Sequence, residues 1–384
     1  MSNFVARKIG DKTLVPTFRN THLAALLLAL VLPLAAAGCS QLKTDEEVIL
    51  FPTAAHLTEN GMHWVVPIHG WVFETERDSL LQNVTLASVA SALELEQGSA
   101  ESDIFRERAA WFLVDNEGGK RIDLTLADDA RELGPSQANG HLFAEIKLAR
   151  QGSAAEPAPF WLRYAVQPPA GDQRIFAGQV LFVPDEGLTV ISDIDDTVKV
   201  SHVRDKKALL ENTFLKPFVP APGMVALYQD LRGKGTTFHY VSSSPWQLYP
   251  SLRDFFDRVG LPNGSFHLRS FRFKDESFFN LFKSSHETKP PEIETLLATF
   301  PDRDFILIGD SGEADPEIYG DVARRYPDQV RAILIRNVTA ENAGDSRYVD
   351  GAFKELSPDL WLLFDDADEA HLFLAGRQWR AMSD

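Results

Sequence analysis

The sequence predicts an α/β fold: a doubly wound parallel sheet over residues 187–384, preceded by a smaller β-rich, sandwich-like domain over 61–186. Three observations lead there. From Leu188 onward, continuous aliphatic runs ("LTVISDID", "TTFHYVSSS", "DFILIGDSG", "VRAILIRNV") alternate with helical segments. That is the pattern of strands buried on both faces between layers of helix. From Met62 to Val183 the runs are instead short or alternating, and are separated by turn formers such as "DNEGG" and "GPSQANG". The texture changes at "VPDEG", which sets the boundary near Gly187.

Taken in order, the chain opens with a basic leader (Arg7, Lys8, Lys12, Arg19) and the apolar run "LAALLLALVLPLAAA", Leu23 to Ala37. The run is short for a membrane span and fits a secretory signal over residues 1–38. "AAGC" followed by Ser40 resembles a lipobox, in which Cys39 would be lipidated and become the mature N-terminus. Ala36 stands where Leu is commoner, and a plain signal peptide or an uncleaved anchor is the alternative. Cys39 is the one cysteine of the chain, so no intrachain disulfide can form. Residues 39–60 read as a polar tether. The β-rich segment follows, interrupted by a helical pattern in "SLLQNVTLASVASALELEQ". Trp64, Trp71, Trp111 and Trp161 fall here and suit either core packing or a ligand groove.

The 384 residues carry a formal charge of −17. Nucleic acid is thereby disfavoured as the main partner, because such binding rests on Lys and Arg neutralising phosphates. An anionic substrate would need local help from a metal or a few placed cations.

The chemistry concentrates at strand ends, where ligands bind in open α/β sheets. Asp193 and Asp195 close the first strand. Side chains two apart in an extended segment share a side, so these carboxylates can share a site while Asp196 faces away. Such a pair repels unless a cation or a proton intervenes, which suits an aspartyl nucleophile beside a general acid with a hard metal such as Mg²⁺ nearby. The second strand ends in Ser242-Ser243-Ser244-Pro245. Ser244 before proline is a good helix N-cap, which leaves Ser242, ahead of Ser243, for a phosphate oxygen. Lys289 precedes "PPEIETLLATF", a helix opened by prolines, where a lysine can neutralise phosphate or simply be solvated. The strand "DFILIGD" ends in Asp310, placed for a metal. Asp315 before Pro316 suits a helix cap or a functional role equally, and Glu313 is a further acidic candidate.

Asp193-x-Asp195-x-Thr197, Ser242, Lys289 and Gly309-Asp310 with Asp315 resemble the four ordered motifs of the haloacid dehalogenase superfamily. The wording "VISDIDDTVKVSHV", "FHYVSSSPWQLYP" and "FPDRDFILIGDSGEADPEIY" is similar to the catalytic domain of the actin-patch-associated phosphatidate phosphatase family, from Gly187 to Asp366. "HGWVFE" adds fainter support. The resemblance implies a haloacid dehalogenase-like fold with a β-rich segment ahead of it. It implies Asp193 as nucleophile and Mg²⁺ ligand, and Asp195 as general acid and base whose backbone carbonyl also meets the metal. Thr197 would steady the loop at the phosphate, and Ser242 and Lys289 would bind phosphoryl oxygens. Asp310 would complete the metal site, with Asp315 supporting it or orienting Lys289. Relatives have His and Lys adjacent before the helix, whereas this chain reads His286-Glu287-Thr288-Lys289.

The expected activity is therefore Mg²⁺-dependent hydrolysis of phosphatidate, or a similar lipid phosphate, to diacylglycerol and phosphate, by a lipoprotein anchored at the cell envelope. A soluble phosphomonoester and a non-catalytic envelope lipoprotein are the alternatives. The stretch Ser265 to Glu287 mixes phenylalanines with Arg269, Arg272, Lys274 and Lys283, and suits either a headgroup-and-acyl surface or a packed loop.

Overall fold

The computed structural model describes residues 40–75, 79–93, 95–96, 98–126, 129–150, 158–271, 285–377 and 379. The leader, Cys39 and most of the aromatic-basic stretch (272–284) lie outside the described residues. Residues 39–384 form one compact unit.

Ten strands build the first half. β1 (Ser40–Gln41), β2 (Glu46–Phe51), β3 (Thr53–Leu57) and β4 (His63–Glu74) come first, then α1 (Ser79–Ala92) and α2 (Asp103–Ala110). β5 (Asp115–Asn116), β6 (Lys120–Leu126), β7 (Asp129–Leu133), β8 (His141–Ala149), β9 (Phe160–Gln167) and β10 (Phe176–Phe182) complete a single hydrogen-bonded network, mostly antiparallel. Its core is Val48, Trp64, Val66, Ile68, Leu124, Leu142, Val180 and Phe182. Trp64 and Trp71 are buried, and Trp111 and Trp161 pack partly buried against hydrophobic clusters, so all four serve packing.

The tether expected over 39–60 is corrected here: most of it is strand. The acidic start of β2 conceals a core position, because Glu46 is fully buried against Lys120 and accepts a hydrogen bond from the Lys43 amide at 2.9 Å. A carboxylate so paired can enter a core that an unpaired one could not.

The second half is a six-stranded, wholly parallel sheet in the order β13-β12-β11-β14-β15-β16. Its strands are β11 (Leu188–Ser192), β12 (Thr237–Pro245), β13 (Ser265–Arg269), β14 (Asp304–Asp310), β15 (Val330–Arg336) and β16 (Trp361–Phe364). Alternate residues leave the sheet on opposite faces, as strand geometry requires. Val190, Phe238, Tyr240, Ile306, Ile308, Ala332 and Leu334 join one cluster. It holds α3 (Lys206–Phe214), α4 (Met224–Gly233), α5 (Tyr249–Val259) and α8 (Ala367–Ala375). Ile191, Val241, Phe305, Leu307, Ile333 and Ile335 join the other, under α6 (Ser285–Thr299) and α7 (Asp315–Arg325). Helices thus cover both faces, as the double-sided aliphatic runs predict.

The first cluster also takes in Phe51, Trp71 and Phe73 from β2 and β4, so the two halves share a core. Arg303, 1% exposed, locks the chain between them: its guanidinium donates to the Pro184 carbonyl at 2.8 Å, to the Leu188 carbonyl at 2.8 Å and to Thr189 Oγ1 at 2.6 Å. No helix among the described residues is long and apolar enough to cross a membrane.

Candidate active site

The predicted site residues from Asp193 to Asp315 lie at the carboxyl end of the parallel sheet, in the turn after β11, on β12 and β14 and near the starts of α6 and α7. β11 ends at Ser192, and the Asp193 amide still bonds the Ile308 carbonyl of β14 at 2.9 Å. Beyond it the chain turns sharply, with the amides of Val198 and Lys199 both reaching the Ile194 carbonyl at 3.0 Å.

Asp196, for which the sequence suggested only that it faces away, organises this turn. Its φ is 55°, in the left-handed region that Asp tolerates better than most residues. Its carboxylate accepts from the amides of Ser201 (2.7 Å), His202 (2.9 Å) and Val203 (2.7 Å). Arg336 caps its carbonyl at 2.7 Å. The signal was present in the ability of Asp side chains to bond nearby amides, though not the partners.

Lys289 is 1% exposed and far from solvated. Its Nζ lies 2.9 Å from Asp193 Oδ1, 2.8 Å from Glu313 Oε2 and 2.5 Å from Asp315 Oδ1. α6 begins a full turn earlier than the prolines suggested, at Ser285, so Pro290 and Pro291 lie inside it and Lys289 stands on helical backbone. Neighbouring Thr288 bonds Ser243 at 2.8 Å, fixing α6 to the end of β12. Asp315 is not a cap but the first residue of α7; its other oxygen accepts from the Asp310 amide at 3.2 Å. A Cβ at Gly309 would overlap this carboxylate, so the Gly-Asp pair of the motif is a matter of space.

One lysine therefore faces Asp193, Asp310, Glu313 and Asp315. Burial, above all, pushes the Asp193 carboxyl well up, and its acidic neighbours add to that against the pull of Lys289. Asp310 is raised for the same reasons, with Asp315 the strongest neighbour. Burial opposes the charge on Lys289, but Asp193, Asp315 and Glu313 outweigh it and hold it firmly ionised.

Oxygens of Asp193, Asp310 and Asp315 lie within 4.8 Å of one another. Asp193 Oδ2 and Asp310 Oδ2 are buried without a hydrogen-bond partner among the described residues. An all-oxygen donor set with excess negative charge and orphaned acceptors fits a hard divalent cation. The Asp195 side chain lies outside this set.

Asp195 instead occupies a nest of donors. Lys199 Nζ lies 2.6 Å and Ser201 Oγ 2.7 Å from Oδ1, while Ser244 Oγ donates to Oδ2 at 2.8 Å and Ser242 Oγ more distantly at 3.4 Å. Burial works against its charge, but Lys199, Ser201 and Ser244 prevail and hold the carboxyl at about 2. The expected capping role of Ser244 is corrected: β12 runs on through Pro245, and Ser244 serves Asp195. Ser242 Oγ accepts from the Ser244 amide at 3.0 Å. Thr197 Oγ1 is buried with no partner among the described residues. Lys199 and Ser201 escaped sequence reading; they stand four and six residues past Asp195, a spacing that meets it only once the turn has formed.

Two carboxylates with opposite protonation tendencies beside a buried lysine and a cation-shaped cluster can divide nucleophile and acid–base work between them.

Residues 188–337 match the family model of the phosphatidate phosphatase APP1 catalytic domain. Phosphatidate phosphatase APP1 of Saccharomyces cerevisiae is 27% identical over 293 residues, 71% of this chain and 47% of that protein. An uncharacterised protein of Schizosaccharomyces pombe is 32% identical over 175 residues, 44% of this chain and 28% of that one. The chain thus spans less than half the length of these relatives. Among solved structures, the class C acid phosphatase of Bacillus anthracis superposes with a TM-score of 0.24 at 14% identity, over 37% of this chain and 62% of that one. Over residues 188–337 the chain is thus similar to the catalytic domain of the phosphatidate phosphatase APP1 family.

Proposed function

We propose that this chain is a Mg²⁺-dependent phosphatidate phosphatase that releases diacylglycerol and phosphate through an aspartyl-phosphate on Asp193. The observation that carries the reading is the pairing of Asp193 with Lys289 at the sheet end, next to a second carboxylate, Asp195, held in the opposite protonation tendency. In this reading an Asp193 oxygen attacks phosphorus, and the ester oxygen leaves with the bonding electron pair. Asp195 protonates that oxygen, then takes a proton from the water that cleaves the aspartyl-phosphate. The free site holds Asp195 ionised, and the incoming phosphate dianion works against Lys199 to favour its protonated form. Lys289, Ser242 and Thr197 would hold phosphoryl oxygens; Lys289 already touches the nucleophile. Asp193, Asp310 and the Asp195 carbonyl would hold the metal, with Asp315 supporting both it and Lys289. When bound, the metal supplies countercharge for the nucleophile and the transferred group.

The wider reading follows the sequence: a signal over 1–38, lipidation of Cys39, a sandwich-like β-rich region whose strands fold over one core, and anchoring at the envelope near lipid substrate. The test is phosphate release by the purified protein from phosphatidate in mixed micelles and from water-soluble esters, with and without Mg²⁺. Asp193→Asn is expected to abolish turnover and leave the fold intact. Turnover of soluble esters alone would move the substrate away from lipid; full activity in Asp193→Asn would remove the nucleophile assignment.

A further inference from the structure

A groove of about 570 Å³ runs where β4 and β8 meet the outer edge of the parallel sheet. Its walls are Pro67, Ile68 and Phe143 on one side and Trp246, Phe266 and Leu268 on the other. That size, with apolar walls and a polar rim of Thr53, Glu145, Ser270 and Glu292, is typical of a small-molecule site. Phe143 leaves 56% of its surface exposed, and its ring stacks 4.2 Å from His69, which in turn meets the edge of Trp246 at 4.6 Å. A large apolar side chain held open in an aromatic stack is a surface available to an apolar occupant.

The groove adjoins the proposed phosphate site. Trp246 follows Ser244 by two residues. Pro245 pairs in register with Arg269, whose Nε donates to the Ser243 carbonyl at 3.4 Å. Glu292, on the groove wall, lies one helical turn beyond Lys289 and pairs with His267 at 3.2 Å. β13 stands two strands from β11, roughly 10 Å away. Among the described residues the lining has no lysine or arginine but includes Glu145 and Glu292, so it disfavours an anion. With the phosphate drawn to Lys289, the part of an ester suited to this wall is uncharged and apolar.

We propose that the groove binds an acyl chain of the substrate while its phosphate occupies the catalytic end. This rests on the lipid phosphatase reading above. The test measures kcat/KM for phosphatidates of increasing acyl length, kept below their micellar concentrations, against glycerol 3-phosphate. The wild-type protein should favour longer chains, gaining up to roughly fourfold per methylene buried. Phe143→Asp should cut the preference for dioctanoyl phosphatidate over glycerol 3-phosphate by about tenfold or more. Glu145→Leu, at an exposed position on the same wall, should raise that preference by roughly two- to fivefold. Both should leave glycerol 3-phosphate turnover unchanged. Changes of opposite sign from two surface variants cannot come from a general loss of folding. A wild-type preference that both variants leave untouched would overturn the groove and spare the phosphatase. A wild-type protein that hydrolyses no lipid ester would overturn both.

Discussion

Asp193 and Asp195 stand two residues apart and are almost equally buried, 1% and 8% exposed, yet their surroundings drive them in opposite directions. On the Asp193 side, one lysine is shared among several carboxylates and two oxygens have no hydrogen-bond partner among the described residues. On the Asp195 side, a lysine and three hydroxyl groups converge on one carboxylate. Burial raises both; what differs is the ratio of donors to acceptors. The lesson is that depth alone does not assign roles to a pair of acids, whereas the supply of protons and cations around each does.

The sharpest way to break this contrast is to remove the shared cation. Lys289→Met should lower kcat/KM by roughly 10³-fold, the upper range for losing one preorganised stabiliser. Without a metal it should also destabilise the fold by about 3–5 kcal/mol, because buried carboxylates lose their partner. A variant with near-normal phosphate release would mean that Lys289 is purely structural.

Breaking the other side should cost less. Lys199→Met should reduce kcat/KM by roughly 10²-fold, and Ser244→Ala, which removes one neutral donor, by about tenfold or less. If the serine variant loses more than the lysine variant, the ranking of donors around Asp195 is wrong.

The smallest expected effect concerns pH. Asp195 falls from an ordinary carboxyl value near 3.8 to about 2, so its contribution is present above pH 4 and vanishes as pH falls toward 2. It amounts to about 2 kcal/mol. Asp193 and Asp310 are raised, so their contribution is greatest below the ordinary carboxyl range and is lost as pH climbs toward their folded values. With chelator present, denaturant melts should therefore show stability decreasing as pH rises above the ordinary carboxyl range, and added divalent cation should abolish that slope, since binding displaces the protons. A slope that is the same with and without cation would contradict a metal on this side.

Much of the second half was legible because its strands are buried on both faces and its polar residues cluster at their ends; the pattern pointed to the strand ends, and the resemblance of the ordered motifs joined Asp193, Ser242, Lys289 and Asp310 into one site. What escaped depends on pairings across distance. Glu46 read as tether because nothing local announces Lys120, 74 residues on. Ser244 read as a cap because Ser-Pro is a strong local signal, and a carboxylate 49 residues away outweighed it. Lys199 and Asp196 lie within the motif itself, but only the left-handed turn at Asp196 brings Lys199 back to Asp195.

The core common to both halves has a consequence for how the chain can be divided. Arg108 of α2 is 6% exposed, donates to the carbonyls of Thr213 (2.5 Å) and Lys216 (3.0 Å), and lies 3.6 Å over the Phe218 ring. Phe51 packs 4.2 Å from Trp246. The sequence border near Gly187 is thus not a plane along which the folded protein separates. A gene fragment starting there would expose the aromatic seam and leave the α3 end without its arginine, so the portable unit, in a graft or a fusion, is the whole of Cys39–Asp384.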